Sequence, residues 1–419
     1  MILTQHGINS LLRTSPTPPA PSGDYITIGD KVYHYVQVID QLITSENLDS
    51  DIPGIRLATA AEPITEADLG ANGEPLAAYY NYDETTYGPN GLNYGRLYNR
   101  AAYVYIANHL SDLVPDGWNI GGTQLANLGN ILPGQSAKST SGWNNDTNGD
   151  NSFRLNVVPT GYFTWYQGAL KFSQVGSYAH IIHSAGNADT GTMTALTFME
   201  STVGNQRPGT GGCKGGNIRF IKQAPQVNIG GVNYGTTRIG NQLWTTENIA
   251  IVYNGLSVRD SSNPLTANSS IAQAAYYNYD SSNQRHGLLY NWPAVNYIAN
   301  HLEELGIADG WRLPSAEDLT TLMTYASNIL AYPGPPLRST EFSRPGNNVF
   351  RFNLLPSGYW NGTSFVEYGD SAGLWSTTSE SSTTATCRYT TVVPNNFDFN
   401  AISASKYCCY SVRLVKDFV

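Results

Sequence analysis

"AAYYNYD" runs from Ala77 to Asp83 and returns unchanged from Ala274 to Asp280. A heptapeptide so rich in aromatic and amide side chains does not recur by chance, and the match extends outward from it. "TSENL" (Thr44 to Leu48) answers "TTENI" (Thr245 to Ile249), and "YIANHL" at Tyr105 is repeated letter for letter at Tyr297. "FRLNVVPTGY" (Phe153 to Tyr162) answers "FRFNLLPSGY" (Phe350 to Tyr359), and "IRFIK" (Ile218 to Lys222) answers "VRLVK" (Val412 to Lys416). The offset drifts by only a few residues, so a unit of roughly 190 to 200 residues is written twice. The reading divides the chain into an attachment tail with a Pro-rich linker (1–22), a divergent first copy (23–224) and a second copy (225–419).

Within each copy the periodicity predicts two helices. Val295, Ile298, Ala299, Leu302 and Leu305 make one apolar stripe, matched by Tyr103, Ile106, Ala107, Leu110 and Leu113. A second helix starts at "SAED", where Ser315 and Asp318 fit a box-like cap, and continues through Leu319, Leu322, Met323 and Ala326. Short runs such as "GTSFVEYG", "GLWSTT", "CRYTTVV" and "YSVRLVKD" read as strands between turns. Two helices followed by a meander of short strands predict an α+β class for each copy.

Composition limits function. Hydrophobic residues make up 41% of the 419, enough for packed cores, while charged residues are only 13%. The polarity comes from Ser, Thr, Asn, Gly and 28 Tyr, a mix suited to extracellular and virion surfaces. A net charge of −9 argues against nucleic acid as a partner. No segment is apolar for long enough to span a membrane, and "MILTQHGINSLLRTSPTPPAPSG" lacks the pattern of a signal peptide.

Cys213, Cys387, Cys408 and Cys409 lack a CxxC spacing and read as buried free thiols, with a bridge from Cys387 to one of the vicinal pair left open. His34, His109, His180, His183, His286 and His301 are scattered, and "HIIH" reads as a turn or strand surface. No nucleophile-elbow, zinc-protease or P-loop pattern occurs. Asp146, Asn148 and Asp150 alternate like the first ligands of a calcium loop, but the distal Glu is missing, which favours an Asn/Asp-rich turn over a calcium site. No other cofactor is expected.

"IGNQLWTTENI", "HGLLYNWPAV", "DGWRLPSAEDLTTL", "FNLLPSGYWNG", "LWSTT" and "YSVRLVKD" stand collinear in the second copy. This order resembles the Fibrobacter succinogenes major paralogous domain, a family of Bacteroidota and their phages. It also looks like the C-type-lectin-like superfamily, which includes formylglycine-generating enzymes and phage tropism determinants. The resemblance implies two tandem lectin-like domains, each of two helices plus short twisted antiparallel strands with paired terminal strands. It makes Trp311, Arg312, Pro314, Trp375 and Arg413 structural anchors. It also implies a loop-rich ligand face in the last segment, at Arg388, Tyr389, Asn395, Asn396, Phe397, Asp398, Phe399, Asn400, Ser403, Ser405, Tyr407 and Tyr410. Tyr, Asn and Ser there suit adaptable polar contacts, and scattered Tyr, Asn, Ser, Phe and Cys match a region rewritten by diversity-generating retroelements.

The functional expectation is a non-enzymatic virion-surface protein, a phage head or tail fibre subunit that binds host glycan or protein through its second copy. Its tail would dock to other virion proteins, and analogy with fibres suggests a homo-oligomer such as a trimer. A bacterial cell-surface adhesin is the alternative, and a formylglycine-generating-type oxidase a remote third reading.

Overall fold

A computed structural model of the chain describes residues 25–129, 134–200, 208–268, 270–307, 310–329, 334–392 and 398–418. The expected tail and linker, together with Asn395, Asn396 and Phe397, lie outside these residues. The described residues are mostly β, with 35% of them in strands and 19% in helices. This overturns the α+β expectation of two helices plus short strands per copy.

Two physical reasons account for the difference. The first apolar stripe outruns its helix: Trp292–Asn300 ends where His301 Nδ1 meets the Tyr297 carbonyl at 2.8 Å, and Arg100–Asn108 ends at the equivalent His109–Tyr105 contact, also 2.8 Å. Leu302 and Leu305 still pack on the core, but from the turn that follows. Meanwhile the β-branched and aromatic runs of the first half form long strands rather than short ones, notably Tyr178–Asn187 and Thr192–Met199. They belong to a nine-stranded sheet, one of several sheets in the chain.

The last strand of each half pairs with the second strand of a hairpin near the start of that half, not with its first strand. Gln41–Thr44 lies antiparallel to Phe220–Gln223, and Gln242–Thr245 antiparallel to Val415–Asp417. The repeated heptapeptide serves the same local purpose twice. Its Asn and third Tyr turn left-handed (Asn81 and Tyr82 at φ 53° and 59°, Asn278 and Tyr279 at 51° and 60°). That turn aims Tyr82 Oη at the N–H of Ile64 and Tyr279 Oη at the N–H of Leu265, each at 2.9 Å. Both hydroxyls therefore satisfy a backbone donor in the preceding loop.

The halves are joined by packing as well as by sequence. The largest core cluster draws Val36, Ile39 and Phe153 together with Ile239, Trp244 and Leu319. Arg238, 2% exposed, closes this seam. Its N–H donates to Ile39 O at 2.8 Å, and its guanidinium reaches the carbonyls of Gly240, Gln37, Phe153 and Ser152. Ile39 holds φ 58° at the hairpin tip where the second half has Gly240 at 62°. A β-branched residue there is strained, and the bridge to Arg238 holds it in place.

Candidate binding groove at the seam

The expected ligand face breaks up in three dimensions. Ser371–Ser379, Thr384–Thr391 and Asn400–Ser405 form one antiparallel sheet. Phe399 and Tyr410 are core residues, 1% and 4% exposed. Tyr410 stacks on Tyr359 at 4.9 Å and meets Trp375 edge-on at 5.1 Å, so neither residue is presented to a ligand. Tyr389, Ser405 and Tyr407 are half-buried, and the Tyr389 hydroxyl is taken by Glu367. Asp398, Asn400 and Ser403 are exposed.

Arg388 leaves that face altogether. Nη1 donates to Phe399 O at 3.1 Å and Nη2 to Thr320 Oγ1 at 2.8 Å, which places it against the helix Ala316–Ile329. Burial lowers its pKa.

That helix is built as the sequence suggests. Ser315 N donates to Asp318 Oδ2 at 2.8 Å and Asp318 N donates to Ser315 Oγ at 3.1 Å, a reciprocal cap. Leu319, Leu322, Met323 and Ala326 face the core, while Glu317, Thr320, Thr321, Thr324 and Asn328 face outward. Between this outer face, the Gly240–Asn241 turn and Ser152–Phe153 of the first half lies a cavity of about 520 Å³, with Tyr325 in its wall. A second cavity of about 560 Å³ shares Asn241, Glu317 and Thr321 and continues past Arg312, Asp318, Thr377 and Asp417. The two adjoin through these shared residues as one trough of mixed polar and apolar lining. Arg312 Nη2 anchors its far end, held by Asp318 at 2.6 Å and Asp417 at 2.9 Å.

Sequence reading missed this trough, though one signal was available. The outer face of an exposed helix usually carries Lys, Glu and Arg, whereas "AEDLTTLMTYASN" offers hydroxyls and amides beyond its first turn. Its first-half contribution is a matter of tertiary packing.

Trp311, Pro314 and Trp375 are buried, and Trp375 Nε1 donates to Tyr290 O at 2.8 Å. Asn148 and Asp150 use side-chain oxygens to accept the N–H groups of Trp143 and Ser152, and Asp146 sits in a left-handed turn. Among the described residues no group of three or more His, Cys, Asp and Glu is placed to hold a metal. All four cysteines are free and buried, so the Cys387 bridge is not formed. Burial pushes the Cys408 thiol up to about 11 and Cys213 to about 12. His180 and His183 lie on a strand but are buried rather than on its surface, and desolvation pushes His180 down to about 4.

Residues 237–416 match the family model of the Fibrobacter succinogenes major domain. This segment covers the helix Ala316–Ile329 and the sheet that carries Arg388. No curated protein and no solved structure matches the chain. No helix among the described residues is long and apolar enough to cross a membrane.

Proposed function

We propose that this chain is a non-enzymatic surface protein that binds a polyhydroxylated ligand, a host glycan or glycosylated protein, in the seam trough. The carrying observation is the trough's lining: Thr321, Thr324, Asn241 and Asn328 offer donors and acceptors beside the ring of Tyr325. Buried thiols with raised pKa values make poor nucleophiles, which supports a binding role over oxidase chemistry.

In this reading the setting is a phage head or tail fibre. Two copies of one module arose by duplication, and residues 1–22 dock to other virion proteins. Weak sites repeated in a homo-oligomer then gain strength through multivalency. The collinear repeats and the low charge of the chain support it.

The test is a printed array of bacterial capsular and lipopolysaccharide glycans, probed with the labelled full chain and with Thr321→Arg. Saturable signal lost in the variant supports the reading. An array without signal, or signal indifferent to Thr321→Arg, contradicts it.

A further inference from the structure

The two halves differ most over the repeated heptapeptide itself. In the first half eleven residues separate Asp83 from Gly95, and in the second only six separate Asp280 from Gly287. The longer connection forms the short helix Glu84–Tyr87 and lays Tyr87 against Tyr80 (5.2 Å) and Tyr94 (5.8 Å). Tyr80 is thereby buried, 8% exposed. The shorter connection provides no such plug, and Tyr277, the counterpart of Tyr80, stays half-exposed.

What stands over Tyr277 instead is Tyr368, 45% exposed, with ring centroids 4.8 Å apart and planes tilted by 38°. These two rings, with Asn278, Asp280, Ser282 and Asn283, line a cavity of about 300 Å³. The polar rim is held in place: Ser282 N and Oγ donate to Asp280 Oδ1 at 2.9 and 2.6 Å, and Tyr368 Oη donates to Asn283 Oδ1 at 3.4 Å. Behind Tyr368 the His286 ring is 6% exposed, and its Nδ1 finds no hydrogen-bond partner among the described residues.

We propose that this pocket is a second binding site, separate from the seam trough, and that it takes a neutral hexose ring. The exposed ring of Tyr368, braced by Tyr277 beneath it, offers a platform for the C–H face of a sugar, and amide and carboxylate oxygens at the rim accept its hydroxyls. The first half has closed the same site with its own tyrosine, so only the second half carries it.

The experiment is saturation-transfer NMR on the full chain with galactose, glucose, mannose and N-acetylglucosamine as probes. At least one gives a saturable signal. Tyr368→Ala weakens it about fivefold or more, the loss of one aromatic contact, while Tyr368→Phe retains it. Replacing Ser281–His286 by the first half's Glu84–Tyr94 abolishes it, with a thermal melt of each variant confirming the fold. Thr321→Arg, across the trough, leaves it unchanged, which separates this site from the proposed trough function. No saturable signal from any of these sugars overturns the proposal, as does a signal that survives Tyr368→Ala or disappears in Thr321→Arg.

Discussion

Arg413 Nε donates to Asn248 Oδ1 at 3.0 Å in the core of the second half, and Arg219 Nε donates to Asn47 Oδ1 at 2.7 Å in the first. Each guanidinium is fully buried and answered by an amide and by carbonyl oxygens: Thr245, Phe352 and Asn353 around Arg413, Thr44, Leu155 and Asn156 around Arg219. Burial pulls Arg413 down to about 9 and Arg219 to about 10. Truncation would orphan several acceptors at once. Arg413→Met is predicted to cost about 3 to 5 kcal/mol in urea unfolding. Arg413→Lys should rescue it only in part, because a point donor cannot serve the fork.

Arg238 ties the halves through carbonyls on both sides of the seam. Arg238→Ala is predicted to lower stability by about 2 to 3 kcal/mol. Amide exchange should speed up at the hairpin around Ile39, while the heptapeptide turns remain protected. Uniform exchange across the chain would show that Arg238 is not a local clasp.

Acid should weaken the first half through His180. Its ring is buried between Tyr162 and Tyr178 and shares a hydrogen bond with Thr197 Oγ1 at 3.0 Å. The folded pKa lies near 4, below the ordinary 6.5, so the unfolded chain binds the extra proton. Stability is therefore full above about pH 6.5 and declines toward pH 4, by on the order of 3 kcal/mol from this group. His180→Gln should flatten that slope in denaturation curves taken across the window.

The heptapeptide turns carry a matched pair of tests. Tyr279→Phe and Tyr82→Phe each remove the acceptor of a loop N–H, at Leu265 and Ile64, without changing packing. Each is predicted to cost about 1 to 2 kcal/mol, and the two costs should add, since the sites share no partner.

Native protein should react slowly with a thiol reagent such as Ellman's, because every cysteine is buried. Denaturant should release all four thiols. Prompt labelling of Cys408 in the native state would contradict its placement.

Much of this was legible in the sequence, and for physical reasons. The repeat itself was legible, whereas the left-handed turn that both copies make at Asn81–Tyr82 and Asn278–Tyr279 was not read from it. The Ser315 cap and the Leu319–Leu322–Met323–Ala326 stripe followed from helical spacing. What failed was whatever depended on distant partners. The histidine contacts that end the first helices look like any polar residue in a stripe, and the strand content of the first half was underestimated. Phe399 and Tyr410 resembled ligand contacts, yet they fill the core, because alternation along a strand does not say which face is covered. The trough eluded reading since its walls come from segments far apart in the chain.

The most direct test of the central claim is a saturation titration of the labelled full chain on Bacteroidota cells, wild type beside Thr321→Arg and Arg388→Ala. The account predicts saturable binding that Thr321→Arg abolishes and Arg388→Ala weakens, with both variants folded. Absence of saturable binding to any strain, or equal binding by all three proteins, would contradict it.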